Sequence, residues 1–142
     1  MQTIHLVACV SRKQSRSAPA ELMYQSDWFL KASAYARRHA DRWYILSAKY
    51  GLLAPHTVIQ PYDITLAKGM SKADRQDWAR KVCRDLLRVT TSDDRLVFLA
   101  GQKYREYLIP CMQAETYIVE VPMAGLGIGE QLAWLKRQLD AD

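Results

Sequence analysis

Residues 3–10 of the chain read TIHLVACV, a nearly continuous run of β-branched and apolar side chains. The run ends where Ser11 begins a stretch rich in serine, arginine, lysine and glutamine. A short apolar run without alternation, bounded by polar residues, is typical of a strand that is buried on both faces. The rest of the chain must therefore supply elements that cover both faces of a sheet.

Three later runs have the same character and predict three further strands. Each is rich in the β-branched and aromatic residues that favour strands, and each is followed by turn or loop residues. The chain is therefore expected to contain about four strands. The three later runs are residues 43–48 (WYILSA), 95–100 (RLVFLA) and 116–121 (TYIVEV).

Amphipathic stretches with recognisable start signals follow the strands. Ser26 can cap a helix over residues 27–40. Ser71, with Asp74 three positions later, predicts a capping box at the start of a helix that ends at Val89. The other two predicted helices are residues 101–112, a short helix shaped by Pro110, and a last helix opened by the glycine-rich turn at residues 125–129.

Strand and helix therefore alternate four times along the chain. Because each crossover must return the chain to the same sheet, this alternation is typical of a mostly parallel sheet between two layers of helices. A chain of 142 residues, 49% of them hydrophobic, can bury a core without disulfide or metal staples. We predict a single three-layer α/β/α domain over residues 1–142, with a mostly parallel sheet of about four strands.

Composition excludes several classes of protein. With only 6 glycines and 5 prolines, the chain is neither collagen-like nor of low complexity. The N-terminus lacks the basic segment of a secretory signal, and no stretch approaches the roughly 20 apolar residues of a membrane span. Cys9, Cys83 and Cys111 are odd in number, far apart and set in apolar stretches. We expect reduced core thiols, a cytoplasmic protein and no membrane partner.

The positive charge is concentrated near the N-terminus. Residues 1–50 contain 8 lysines and arginines against 3 acidic residues, whereas residues 51–142 contain 12 of each, so the net charge of +5 arises early in the chain. A basic half is consistent with a phosphate-bearing partner such as nucleic acid or a nucleotide. The same excess also serves solubility, and the sequence leaves both interpretations open.

Polar and cationic residues follow each predicted strand. Ligands of open α/β sheets bind beyond the carboxyl ends of the strands, so these residues are candidates for one shared site. Three lysines and the start of a helix would together suit a phosphate or a carboxylate. The alternative is that lysines follow strands because loops are solvated. The candidates are Ser11 and Lys13, Ser47, Lys49 and Tyr50, Gln102, Lys103 and Tyr104, and the turn glycines Gly125, Gly127 and Gly129.

A long loop between Pro55 and Asp63 supplies the carboxylate candidate. Long unstructured connections in compact domains are usually functional or disordered, and here two prolines stiffen the chain. Ile59 and Tyr62 can pack against the rest of the domain and so hold the loop in place. Asp63 would then be fixed near the lysines, where it could act as a base or orient a hydroxyl. The alternative for Asp63 is a loop-capping hydrogen bond, and Glu130 is then the preferred acid–base candidate.

Aromatic residues beside the loops add stacking candidates for a base, chiefly Tyr50, Tyr62 and Tyr104. The three histidines show no ligand spacing with each other or with cysteines, so we expect no metal. The glycine-rich turn lacks the spacing of a dinucleotide fingerprint, and we expect no cofactor.

One stretch resembles a known family. Residues 45–55 (ILSAKYGLLAP), followed by residues 59–63 (IQPYD) and Leu66, are similar to the pattern LSxxYGLLxP…IxPYxxxL of the YaaA-like family. Short bacterial and phage members also share Cys9-x-Ser11-x-Lys13, Leu22-x-Tyr24 and Ala100-Gly101-x-x-Tyr104, together with a glycine-rich ending like that at residues 125–131.

This resemblance implies a DNA-binding role in the response to peroxide stress, and a related signature occurs in enzymes that modify deazaguanine bases in RNA. Two functions follow as expectations. In the first, lysines 13, 49 and 103 hold a phosphate while Asp63 or Glu130 moves a proton, with Lys49 in the same catalytic group, during processing of a nucleobase or an N-glycosidic bond. In the second, the same pocket senses DNA or a nucleotide without turnover.

Overall fold

A computed structural model describes residues 1–8, 14–63, 66 and 69–141. It confirms the predicted α/β class, with a central sheet flanked by helices. The strands are β1 (Thr3–Ala8), β2 (Ala18–Pro19), β3 (Arg42–Ser47), β4 (Gly51–Leu53), β5 (Val58–Ile59), β6 (Arg95–Leu99) and β7 (Ile118–Glu120). The helices are α1 (Ala20–Met23), α2 (Asp27–His39), α3 (Lys72–Val89), α4 (Gln102–Arg105), α5 (Leu108–Ala114) and α6 (Ile128–Asp140).

The central sheet has five strands in the order β4-β3-β1-β6-β7, and all neighbours are parallel except β3 and β4. From β1 the chain crosses to one side to form β3 and later to the other side to form β6. Right-handed crossovers in opposite directions place their helices on opposite faces. Accordingly α2 packs against α6, and α3 packs against α5.

Strand β1 is the centre of the core, as its apolar sequence predicts. Its residue Val7 pairs with Ile45 of β3 on one side and with Leu99 of β6 on the other. Ile4, Leu6 and Val7 are completely buried. The reversal of strand order beside β1 creates a topological switch point, where open α/β sheets bind their ligands.

Both long helices begin where the capping signals predict. The Ser26 hydroxyl accepts the backbone N–H of Phe29 at 3.1 Å, and α2 starts at the next residue. Ser71 and Asp74 form a reciprocal capping box, in which each side chain accepts the other's backbone N–H at 3.1 Å. These bonds satisfy N–H groups that a helix start leaves unpaired, and so they fix the first residue of each helix.

The segment after β3 differs from the predicted loop. It contains β4, an antiparallel edge strand in which Leu52 pairs with Leu46, so the sheet has five strands rather than about four. Gly51 makes the tight connection with a φ of 73°, a conformation that glycine adopts without strain. Farther on, β5 pairs with β2 in a separate two-stranded sheet. Strands of two or three residues are too short to show a period-two pattern.

The helix predicted over residues 101–112 is two helices, α4 and α5. Pro110 lies in the first turn of α5, where a missing backbone N–H costs nothing because those groups have no partner within the helix. The ring of Pro110 would clash with the carbonyl of Glu106 in a continuous helix. The break between Arg105 and Leu108 avoids that clash.

Two of the three cysteines come together in the fold. Cys83 of α3 is buried and Cys111 of α5 is partly buried, both are free thiols, and both line one cavity of about 490 Å³. Burial and then the neighbouring Cys111 thiol raise the pKa of Cys83 to about 12, so Cys83 is an unreactive thiol. Cys9 lies outside the described residues.

No helix within the described ranges has the length and apolar composition needed to span a membrane.

Candidate functional site

A cavity lies beyond the carboxyl ends of β6 and β7, and we call it the β6/β7 cavity. Its volume is about 280 Å³, close to the lower limit of roughly 300–1,000 Å³ for small-molecule pockets. Phe98 of β6 and Gln131 of α6 are among its lining residues. The remaining lining residues follow β6 (Ala100, Gly101, Gln102 and Arg105) or β7 (Val121, Met123, Gly125 and Leu126).

Local structure explains how the chain brings these side chains together. Strand β6 ends at Leu99, and Gly101 precedes the first residue of α4. Gln102 and Arg105 are three positions apart in this one-turn helix, so both side chains lie on the same side. After β7, Gly125 adopts a φ of 81° and turns the chain toward α6. A side chain at this position would strain the turn, although it would meet no neighbouring atom.

Arg105 is the cation in the described lining of the cavity. Its Nε is buried and has no hydrogen-bond partner in the part of the chain that the structure describes. A buried donor left unpaired costs roughly 1–3 kcal/mol, so a ligand that accepts this bond recovers that free energy. Arg105 was not among the predicted site residues, and its i, i+3 spacing from Gln102 is the signal that could have identified it.

Gln131 is held in a fixed orientation. Trp28 of α2 donates its indole N–H to the Gln131 Oε1 at 2.9 Å, and the Gln131 Nε2 donates to the Leu126 carbonyl at 2.8 Å. An amide has two N–H donors and two lone pairs on oxygen, so one donor and one acceptor position are left over. Gln131 is therefore positioned to form both kinds of hydrogen bond with a ligand, and the sequence analysis did not include it.

Ser47 and Tyr62, two predicted site residues, belong to a buried hydroxyl network. The Tyr62 hydroxyl lies 2.7 Å from the Ser47 hydroxyl and 2.6 Å from that of Tyr24. Ser47 also accepts the backbone N–H of Tyr50 at 3.0 Å. The buried ring of Tyr62 packs edge-on against the rings of Tyr24 and Tyr50. This network ties the end of β3 to the loop that precedes Asp63.

Lys49 lines a different cavity. Its ammonium lies 5.4 Å from the ring centre of Tyr50, within reach of a cation–π interaction. The Lys49 cavity has a volume of about 440 Å³ and also contains Lys81, Asp74 and Asp77. Because two carboxylates balance the two lysines, this cavity is a poor site for a phosphate.

The other cationic and aromatic candidates do not join the β6/β7 cavity either. Lys103 is exposed on α4 and is not part of the described lining. Tyr104 is buried, and its ring packs edge-on against Trp78 at 5.6 Å between ring centres. Ser11 and Lys13 lie outside the described residues. Neither Lys49 nor Lys103 therefore lines this cavity. Lys49, after the end of β3, lines another cavity, and Lys103 is exposed on α4.

The two carboxylate candidates and the glycines have separate positions. Asp63 is exposed, and no hydrogen bond joins it to another residue in the described ranges. Glu130 accepts the backbone N–H of Gly127 at 3.2 Å and so caps α6. Gly125 lines the cavity, whereas Gly127 and Gly129 do not. The start of α6 already has a carboxylate at its positive end, which reduces its attraction for an anion.

Comparisons with known proteins match the chain over nearly its whole length. The model of a family of unknown function, DUF6884, matches residues 4–137, which include every strand of the central sheet except the first residue of β1. The uncharacterized protein YfjM of Bacillus subtilis (strain 168) is similar, with 29% identity over 147 residues that cover 99% of this chain and 97% of the relative. Neither match tests the resemblance to the YaaA-like family, which stays a prediction. The chain belongs to the family of unknown function DUF6884.

Proposed function

We propose that this protein binds a nucleotide in the β6/β7 cavity and does not turn it over. The observation that carries the proposal is the buried, unpartnered Nε of Arg105 in a cavity beyond the carboxyl ends of two parallel strands. A phosphate oxygen is a strong acceptor for guanidinium N–H groups. The neighbouring switch point is where α/β sheets bind such ligands. The resemblance of residues 45–66 to the YaaA-like family is consistent with a partner that contains nucleobases.

The walls of the cavity suit a base. Apolar surface comes from Phe98, Val121, Met123 and Leu126. Amide groups can both donate to and accept from the edge of a base, and Gln131 is already oriented by Trp28. Apolar walls with a few fixed polar groups are the usual composition of a small-molecule site. We therefore place the base within the cavity and the phosphate beside Arg105.

The composition of the cavity supports binding rather than catalysis. Proton transfer needs a side chain such as a carboxylate, histidine, lysine, tyrosine or cysteine within reach of the substrate. The described lining contains none of these types, since its polar side chains are two amides and one guanidinium. Asp63 is exposed, and Glu130 caps α6. We therefore favour a nucleotide-sensing module over an enzyme that cleaves an N-glycosidic bond.

The test is calorimetric titration with the four common nucleoside 5′-monophosphates and their nucleosides. Arg105→Met retains the apolar stem but removes the donors, and we expect it to weaken monophosphate binding by at least about tenfold, the value of a hydrogen bond to a charged group. Nucleoside binding should change little. Lys103→Met is the matched control, because it removes a neighbouring charge that is outside the cavity.

Three results would contradict the proposal. Absence of any nucleotide binding at millimolar concentration, or equal affinities of Arg105→Met and the parent, would exclude the binding site. Release of free base during prolonged incubation, followed by chromatography, would show an enzyme and exclude a module that only binds.

A further inference from the structure

A second cavity lies between α2 and the face of the sheet that α2 covers, and we call it the His5 cavity. Its volume is about 250 Å³, and it shares no lining residue with the β6/β7 cavity. Side chains come from β1, β6, β7 and α2. Among them are Thr3, His5, Tyr35, His39, Arg95 and Glu120.

Two of the residues that line this cavity have a buried nitrogen atom with no partner in the part of the chain that the structure describes. These atoms are the Nδ1 of His5 and the Nε of Arg95. His5 is only 3% exposed, so its ring cannot obtain this hydrogen bond from bulk water. In the parallel pairing of β1 with β6, His5 lies opposite Val97, two residues from Arg95 on the same face of the sheet. Both side chains line the cavity.

The remaining bonds of Arg95 fix its guanidinium. One Nη donates to the Glu120 carboxylate at 3.2 Å, and the other lies 3.4 Å from the Thr3 hydroxyl. These contacts involve the two Nη atoms of the guanidinium, so the buried Nε can still donate a hydrogen bond. The Arg95 Nε is always a donor, and the His5 Nδ1 is a donor in one tautomer of the neutral ring and in the protonated ring. Unsatisfied buried polar atoms are rare, so two of them on residues that line one cavity indicate a missing acceptor.

The electrostatic environment of His5 favours an anion. Burial, as the largest cause, and then the charges of His39 and Arg95 together lower its pKa to about 4. Around the ring, α2 contributes His39 and Tyr35, β6 contributes Arg95, and β7 contributes Glu120, which is paired with Arg95. Both groups whose charges shift the pKa of His5 are cations, and a bound anion would oppose their effect. The cavity is also far larger than the roughly 30 Å³ of one water molecule.

We propose that the His5 cavity is a separate binding site for a small oxyanion, a carboxylate or a phosphate, whose oxygen accepts hydrogen bonds from His5 Nδ1 and Arg95 Nε. The proposal is independent of nucleotide binding in the β6/β7 cavity. A bound anion favours the protonated imidazole, so binding raises the pKa of His5 from about 4 toward its usual range. By linkage, the affinity for the anion rises as the pH falls through the pKa of His5 in the complex.

The test follows the ring nitrogens of His5 by NMR in ¹⁵N-labelled protein during titration with sodium acetate and with inorganic phosphate. Sodium chloride keeps the ionic strength constant. We expect saturable shifts of the His5 signals and an increase of at least about one unit in its pKa with one or both probes. His56, which is exposed in a loop, is an internal control and should not show saturation. Saturation by acetate alone identifies a carboxylate site, and saturation by phosphate identifies a phosphate site.

Variants separate the specific site from general screening. Arg95→Lys keeps the charge but removes Nε, and it should weaken anion binding at least tenfold. Arg88→Lys on the exposed face of α3 is the matched control and should bind as the parent does. If Arg95→Lys does not fold, the comparison of the His5 and His56 signals in the parent protein still tests whether the anion binds at His5. Equal responses of the two histidines, or no response of His5 to either probe, would overturn the proposal. So would a response that Arg95→Lys preserves.

Discussion

At the scale of single residues, the unusual feature is a histidine in the central strand. His5 points from β1 toward α2, and its ring lies 5.6 Å from that of Tyr35, which itself stacks 4.4 Å from His39. An apolar side chain could fill this buried position and would leave no polar atom without a hydrogen-bond partner, whereas His5 leaves its Nδ1 unpaired. In the sequence, His5 is recognisable only as a strand residue without the spacing of a metal ligand. A single strand cannot show that Arg95, ninety residues later, lies beside it.

The lowered pKa of His5 predicts a pH dependence of stability. In the unfolded chain the imidazole binds a proton near pH 6.5, but in the folded protein it does so only near pH 4. Between these values the unfolded state binds more protons, so the free energy of unfolding falls as the pH falls. The full effect is about 3 kcal/mol, present above pH 6.5 and lost by about pH 4.

Urea unfolding of the parent and of His5→Gln at a series of pH values between 4 and 7 measures this effect. The glutamine variant should lose most of the slope, whereas His56→Gln, at an exposed position, should retain it. A parent and a His5→Gln protein with parallel profiles would contradict the assignment.

At the scale of elements, the loop from residue 55 to residue 63 is an ordered part of the fold. Ile59 and Tyr62 are buried, as the sequence predicts. The start of α1 donates two backbone N–H groups to this loop, from Ala20 to the Thr57 carbonyl at 2.7 Å and from Glu21 to the Pro55 carbonyl at 2.8 Å. The hydroxyl of Tyr62 adds bonds to Ser47 and Tyr24. The loop therefore joins the end of β3 to the segment before α2.

Removing that hydroxyl should destabilise the protein measurably. In Tyr62→Phe, the buried hydroxyls of Ser47 and Tyr24 each lose a partner, and we expect a loss of about 1–3 kcal/mol in the free energy of unfolding. Tyr50→Phe is the control, because within the described residues its exposed hydroxyl makes only long contacts, of 3.3 and 3.4 Å, to the backbone of Gln60. Chemical denaturation of the two variants compares them. Equal losses would show that the network around Tyr62 contributes no special stability.

The elements also show which parts of the fold a sequence can specify. Helices α2 and α3 were predictable because Ser26 and Ser71 are chemical start signals, and β1 because the mostly apolar run that contains it needs burial on both faces. Strand β4 was not predictable. A strand of three residues is too short to show an alternating pattern of apolar and polar side chains. The pairing of β4 with β3 depends instead on tertiary contact and on the positive φ of Gly51.

At the scale of the whole molecule, the strand order determines where ligands can bind. The carboxyl edge of the sheet could be named from the sequence, since every parallel α/β sheet offers it. Two residues that line the β6/β7 cavity, Gln102 and Gly125, were named from the sequence because they follow strands. Gln131 could not be named, because it reaches the cavity only through the position of α6 against α2. The lysines that follow the strands were the more obvious candidates. The side chains of Lys49 and Lys103 lie outside this cavity. The direction in which each side chain points cannot be derived from the spacing of the lysines along the chain.

The most direct test of nucleotide binding is a crystal structure of the protein with the nucleoside monophosphate that binds most tightly in solution. Our account predicts the base between Met123 and Phe98 in the β6/β7 cavity, with a phosphate oxygen about 2.7–3.2 Å from the Arg105 Nε. A nucleotide bound in the Lys49 cavity, or one whose phosphate makes no contact with Arg105, would contradict it.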